Sequence, residues 1–180
     1  MKRKQYLWVG AGILVAAGAA AYLAGCRTIP RGINAVTGFQ KERYLGKWYE
    51  IARFDFRFEK NMSKVTAEYS TNNDGTIQVK NSGYDNKKYK QKQSIGKAKF
   101  VKDEDIAMLK VSFFGPFYAG YNVIAIDDNY QYALVCGKNR DYLWLLSREK
   151  TMPDSIKNKY LDIAKNAGFN ISELIWTQQQ

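Results

Sequence analysis

Gly46-Lys47-Trp48-Tyr49-Glu50-Ile51-Ala52-Arg53-Phe54 is the stretch around which the rest of the chain is organised. A glycine, a tryptophan two positions on and a run of alternating side chains read as the opening of a β-strand. About a hundred residues later, Tyr142-Leu143-Trp144-Leu145-Leu146-Ser147-Arg148 reads as a late strand ending in arginine. A guanidinium is planar and permanently charged, the right shape to lie over an indole face. If Arg148 covers Trp48, the two strands meet at one end of a closed sheet and plug it, with Gly46 at the turn into the first strand. Taken alone, Trp48 reads equally well as an ordinary core aromatic and Arg148 as an ordinary surface charge. The chain between them has to decide.

From Gly46 onward, short alternating segments recur with turn residues between them. Val65, Ala67 and Tyr69 alternate with Thr66, Glu68 and Ser70, and Asn72-Asn73-Asp74-Gly75 makes a turn. Ile77 and Val79 alternate with Gln78 and Lys80. Gly96, Ala98 and Phe100 alternate with Lys97 and Lys99, and Leu109, Val111 and Phe113 with Lys110 and Ser112. Segments at 121–126, 132–136 and 142–148 complete eight strands. No helix-length periodic segment interrupts them, which excludes βαβ crossovers. Period-2 alternation fits a barrel and a sandwich alike; a barrel closes its edges, whereas a sandwich must protect them.

Two strands lose their alternation. Tyr132–Val135 and Leu143–Leu146 are apolar on both faces, as if covered inside and outside. A helix follows, with Thr151 as its expected cap, Pro153 in its first turn and Gly168 as its stop. Its stripe of Ile156, Tyr160, Ile163, Ala164 and Ala167 needs an apolar partner outside the sheet. The two doubly apolar strands supply one. Leu174-Ile175-Trp176 reads as a last strand able to pair beside the first. The expected fold is all-β: an eight-stranded antiparallel up-and-down barrel with one C-terminal helix packed outside and a short ninth strand.

This order resembles the lipocalin family over roughly Tyr44 to Thr177, and is most similar to its bacterial outer-membrane members and their apolipoprotein D-like relatives. The residues that carry the resemblance are 45–54, Val111-Ser112-Phe113-Phe114-Gly115-Pro116-Phe117-Tyr118, 121–125, 132–137 and 143–148. The family's middle motif, commonly Thr-Asp-Tyr, reads here Ile126-Asp127-Asp128-Asn129-Tyr130, which leaves open whether Asp127 or Asp128 takes its role.

Alternation from Trp48 makes Glu50, Ala52 and Phe54 inward-facing, and alternation from Arg148 does the same for Leu146, Trp144 and Tyr142. In the other strands the polar neighbours choose the face, so Val65, Ala67, Tyr69, Ile77, Val79, Gly96, Ala98, Phe100, Leu109, Val111 and Phe113 are expected to point in. The expected cavity lining is therefore Glu50, Ala52, Phe54, Ala67, Tyr69, Val79, Gly96, Ala98, Leu109, Val111, Phe113 and Trp144. Ala52, Ala67, Gly96 and Ala98 either leave room for a ligand or merely offset large neighbours; an eight-stranded barrel is just wide enough for one small ligand. With the resemblance, the ligand cavity is the expectation. Glu50 could anchor an amine or water; the expectation is that it belongs to the hydrogen-bond network of the plug.

The N-terminus has a basic start at Lys2, Arg3 and Lys4, then no charge until Arg27, which describes an export signal. The uncharged run is also long enough to span a bilayer as an uncleaved anchor. Leu23-Ala24-Gly25-Cys26 looks like the bacterial lipoprotein signature, which implies cleavage after residue 25 and lipid on Cys26. Arg27 after the cysteine, rather than aspartate, favours the outer membrane by the same resemblance. The expected organisation is a signal peptide at 1–25, a lipidated N-terminus and tether at 26–40, and the barrel domain at 41–180. About 155 residues remain after Gly25, enough for one core.

The chain carries 28 basic and 17 acidic residues, a net charge of +11. Its lysines are scattered among strand positions with no recognition helix, which argues for a solvated or phospholipid-facing surface and against nucleic acid. Once Cys26 carries lipid, Cys136 has no partner and no internal disulfide is expected. The chain has no histidine, so Ser-His, Cys-His and histidine-ligated metal sites are absent, and no cofactor or metal is implied. What the resemblance implies is a binding protein that stores or transports fatty acids or lysophospholipids in the barrel, on the periplasmic side of the outer membrane. It also allows a homodimer. The alternatives are a lipid-modifying enzyme using Cys136, which sits in an apolar strand with no evident base, and an envelope scaffold with an empty barrel.

Overall fold

The computed structural model describes residues 27–56 and 59–180. A one-turn helix, α1 (Lys41–Tyr44), leads into β1 (Gly46–Phe54), β2 (Met62–Thr71), β3 (Ile77–Asp85), β4 (Lys90–Phe100), β5 (Met108–Phe114), β6 (Phe117–Ile126), β7 (Tyr132–Cys136) and β8 (Leu143–Ser147). Helix α2 (Asp154–Asn166) and β9 (Leu174–Trp176) follow. Each strand pairs antiparallel with the next, and β1 pairs with both β8 and β2, closing the barrel; β9 joins β1 from outside. The eight-stranded barrel with an external helix and ninth strand is thus the architecture, and closure leaves the barrel itself without a free edge.

Two apolar layers share the sheet. The inner one contains Trp48, Tyr69, Ile77, Val79, Ala98, Leu109, Val123, Val135 and Leu146. The outer one lies between the sheet and α2, where Leu134, Cys136, Leu143 and Leu145 meet Tyr160 and Ala164. This is why β7 and β8 are apolar on both faces. Helix α2 begins at Asp154 with Pro153 at the N-cap, and no side chain caps it. Thr151 is therefore not the cap; its carbonyl instead accepts a hydrogen bond from Ser147 Oγ at 2.9 Å. Gly168, at φ +82°, ends the helix in the left-handed conformation that glycine adopts without strain.

The alternation expected along β1 fails midway. Glu50 pairs with Leu146 but Ala52, not Ile51, pairs with Leu145, so a β-bulge sits between them. One extra residue reverses the face of everything beyond it. Ala52 and Phe54, expected inside, lie in the outer layer under α2. Arg53 pairs with Trp144 and takes the inward position instead.

The stretch assigned as a tether is built into the fold from Ile29 onward. Ile33, Ala35 and Phe39 are buried. Val36 N–H donates to Val123 O at 2.9 Å, and its carbonyl accepts from Ala107 N–H at 2.8 Å. The strap needs backbone partners because a chain buried without them would strand polar groups. Met1–Cys26, with the expected signal and lipidation site, lies outside the described residues. Among the described residues no helix is long and apolar enough to cross a membrane.

Candidate functional site

One end of the barrel is sealed. The Arg148 guanidinium lies 3.9 Å from the centroid of the Trp48 ring. Its nitrogens donate to the carbonyls of Lys47, Arg43 and Leu45, each at 2.8 Å, and of Tyr130 at 3.3 Å. Trp48 Nε1 donates to Tyr44 O at 2.8 Å, so the fully buried indole is satisfied. Gly46 stands at φ +90°, a conformation a side chain rarely adopts, with Arg148 Nη1 3.4 Å from where its Cβ would be. Gly46, Trp48 and Arg148 are therefore brought together at this end. The neighbouring turn is organised by Asp127, whose carboxylate accepts from the backbone N–H groups of Asn129, Gln131 and Tyr132 at 3.1, 2.7 and 2.6 Å. Asp128 contributes only its carbonyl, to Arg43.

Above the plug lies a floor of three tyrosines. The hydroxyls of Tyr44 and Tyr69 both meet that of Tyr121, at 2.6 and 2.7 Å. Burial pushes all three phenols above their ordinary range, so they stay neutral donors and acceptors. Tyr69, Val79, Ala98, Leu109 and Val111 line a space of only about 10 Å³ beside them, the room of roughly one water. The expected gaps are mostly filled. The Phe113 ring occupies the place of a Gly96 side chain, with a ring carbon 2.7 Å from the position of a Cβ. Ala98 is 3% exposed, and Ala52 is on the other face. Ala67 alone of the four faces the lumen beyond the floor, with Asn81 opposite it on β3 and Ser94 opposite that on β4. Residues directly opposed across antiparallel strands share a face, so the three form an arc of small side chains.

Toward the other end the lumen becomes polar, then aromatic. Glu50, 3% exposed, accepts from Arg53 Nη1 at 2.7 Å and from Thr177 Oγ1 at 2.5 Å. It takes no part in the plug, because the bulge places Arg53 rather than Arg148 within its reach. Glu59, on the β1–β2 connection, has Oε2 3.6 Å from Arg53 Nε and accepts from Trp144 Nε1 at 3.3 Å. Among the described residues, Arg53 Nε is buried without a hydrogen-bond acceptor. Outside this cluster the rings of Phe56 and Tyr142 pack edge-on and Tyr142 stacks on Trp144 at 6.2 Å, forming the rim of the mouth. The C-terminal tail stitches β1 to β2 where their pairing lapses: Gln179 Nε2 donates to Glu50 O and Val65 O at 2.7 and 2.8 Å.

Burial pushes the Glu59 carboxyl from its ordinary 4.5 up to about 8, and the neighbouring Glu50 carboxylate adds to the rise. A carboxyl whose folded pKa is raised contributes stability that is complete below its unfolded value and is lost as pH rises through the folded one. Stability should therefore decline between about pH 4.5 and pH 8 through this group, and Trp144 emission should titrate near the upper limit as its acceptor ionises. Glu59→Gln should remove both effects. A fluorescence titration of that variant against the parent, with Trp144→Phe to assign the signal, checks this.

Arg53, Glu59, Tyr44, Tyr121 and Asn81 are the lumen residues that sequence reading missed. Tyr121 lies in a matched family segment and Tyr44 just before one, so their aromatic character was a usable signal. Arg53 also lies in a matched segment, but its inward turn depends on a bulge, and the place of Glu59 depends on a loop. Cys136 packs in the outer layer against α2, away from the lumen. Burial pushes its thiol up to about 12, where it is a poor nucleophile at neutral pH.

The lipocalin-like domain family matches residues 39–179. The outer membrane lipoprotein Blc of Escherichia coli (strain K12) is 54% identical over 169 residues, covering 92% of this chain and 96% of that protein. The protein of the same name from Vibrio cholerae is 48% identical, covering 88% and 93%. Among solved structures, insecticyanin from the tobacco hornworm superimposes with a TM-score of 0.68 at 20% identity, over 84% of this chain and 87% of that one. That likeness is one of fold.

Proposed function

The chain belongs to the lipocalin family, and from that premise we propose that it is a membrane-anchored binding protein that takes one fatty acid or lysophospholipid into its barrel at the periplasmic face of the outer membrane. The observation that carries the reading is the polarity of the lumen: sealed by Trp48 and Arg148 below, small-walled at Ala67, Asn81 and Ser94, and polar at Arg53 beneath an aromatic mouth. A single-chain lipid has the same order, apolar tail then anionic head. Arg53 Nε, buried without an acceptor among the described residues, would gain one from a carboxylate or phosphate. The filled space around the tyrosine floor favours a tail held mouthward of Tyr69 over one running along the whole barrel. The position of Cys136 in the outer layer favours binding over a nucleophilic enzyme.

Mass spectrometry of the gently purified protein should find one single-chain lipid per barrel. A barrel that is consistently empty, and stays empty when offered palmitate or lysophosphatidylethanolamine, would leave the scaffold reading in its place. The outer-membrane address rests on the relatives' names and on Leu23-Ala24-Gly25-Cys26. The N-terminal peptide should begin at an acylated Cys26, and Cys26→Ser should leave the precursor unprocessed. A stable membrane form retaining residues 1–25 on wild-type protein would instead identify an uncleaved anchor.

A further inference from the structure

The β5–β6 hairpin ends in a tip that the fold does not cover. Phe114 and Phe117, which pair across Gly115-Pro116, are 82% and 75% exposed. Phe113 and Tyr118 beside them are 41% and 39% exposed. Single exposed apolar residues need no explanation, but adjacent rings at one tip form a patch that water penalises and a partner would relieve. The lumen does not need them: both rings are largely in water, and it is Phe113 that fills the space at Gly96.

Two further features converge on the same end of the barrel. The β3–β4 turn lies at this end, with Lys87, Lys88 and Lys90 exposed around Tyr89, itself 81% exposed. The N-terminal segment also approaches here. Thr28 O accepts from Asn122 Nδ2 at 2.7 Å and lies so close over Gly120 that a Cβ there would be 2.0 Å from it. Gly120 is three residues from Phe117 along β6, about 10 Å at a strand's rise, and Cys26 is two residues from Thr28, at most about 7 Å. A lipid on Cys26 would therefore be tethered to the same end of the barrel as the aromatic tip.

We propose that the mouth end of the barrel docks on an anionic phospholipid bilayer, with Phe114 and Phe117 inserted at the head-group boundary and the lysines of the β3–β4 turn against the phosphates. Aromatic rings favour that boundary, and exposed lysines are drawn to anionic lipid. The docked barrel then opens onto the surface from which its ligand comes and to which it returns. This deepens the binding reading above and takes from it only the anchoring at Cys26.

The test uses the full-length acylated protein in vesicles of phosphatidylethanolamine and phosphatidylglycerol. An environment-sensitive dye is attached at Phe114→Cys, or at Asn73→Cys in the turn at the sealed end. Cys136 is buried and does not compete for label. The residue 114 dye should shift to the blue and be quenched by nitroxides on the acyl chains, while the residue 73 dye keeps its aqueous spectrum. An aqueous spectrum at residue 114 on vesicles that carry the protein overturns the docking. A blue shift at 73 and not at 114 reverses the orientation and also overturns it. A shift at 114 that appears without vesicles and grows with protein concentration assigns the tip to a second copy of the chain instead. The mass of the N-terminal peptide reports acylation, and any dye on Cys26, separately, so an unacylated protein unlabelled at Cys26 whose residue 114 dye still enters the bilayer removes the anchor and keeps the docking.

Discussion

Trp48→Ala should lower the stability of the domain by about 3–5 kcal/mol, the range of large aromatic truncations in cores. The indole is 0% exposed, its ring is covered by Arg148, and its N–H is spent on Tyr44 O. Its loss leaves a void at the junction of β1, β2 and α1. Arg148→Ala should cost less, on the order of 1–3 kcal/mol, because the guanidinium is partly solvated and the four carbonyls it serves can be reached by water. The two should not add. With the indole gone, the guanidinium loses the surface it lies on, so the double variant should be less destabilised than the sum of the singles by about 0.5–1 kcal/mol or more. Denaturant melts of the four proteins measure this. Strict additivity would mean that the stacking at 3.9 Å contributes nothing and that the plug is held by the carbonyl contacts alone.

Ala67→Phe should abolish lipid binding while the barrel still folds. Ala67 faces the lumen one pair mouthward of Tyr69 along β2, between Trp48 on β1 and Asn81 on β3, where a phenyl ring would occupy the space proposed for the tail. Glu68, one residue on, is exposed on the outer face; Glu68→Phe adds the same ring there and should leave binding intact. In the parent protein, affinity should climb with acyl length. Each CH₂ removed from water contributes at most about 0.8 kcal/mol, roughly a fourfold gain. The climb should stop where the chain meets Tyr44, Tyr69 and Tyr121. A titration following Trp144 emission reads both effects. Equal affinity for eight-carbon and sixteen-carbon acids, untouched by Ala67→Phe, would place the lipid outside the barrel.

The residues around each segment were enough to determine the architecture. Period-2 alternation from Val65 to Phe113, the doubly apolar segments that became β7 and β8, and the stripe on α2 are local properties of the chain, and local properties survive folding. Trp48 and Arg148 were legible as a pair because both sit at strand ends that a closed barrel must bring together. The tertiary structure alone decided the rest, and in each case the reason is that the outcome depends on a partner distant in sequence. The bulge at Glu50–Ala52 arises from pairing with β8; it sent Ala52 and Phe54 outward and brought Arg53 in, which no alternation within β1 could announce. Gly96 reads as a gap until β5 lays Phe113 into it. Asp127 was separated from Asp128 only by which carboxylate met the backbone of the turn. Glu59 became a buried acid because a loop folded it beneath Trp144, next to charges brought from β1. A strand's alternation is set by its own backbone, whereas the phase of that alternation and the filling of a lumen are set by what the neighbouring strands present.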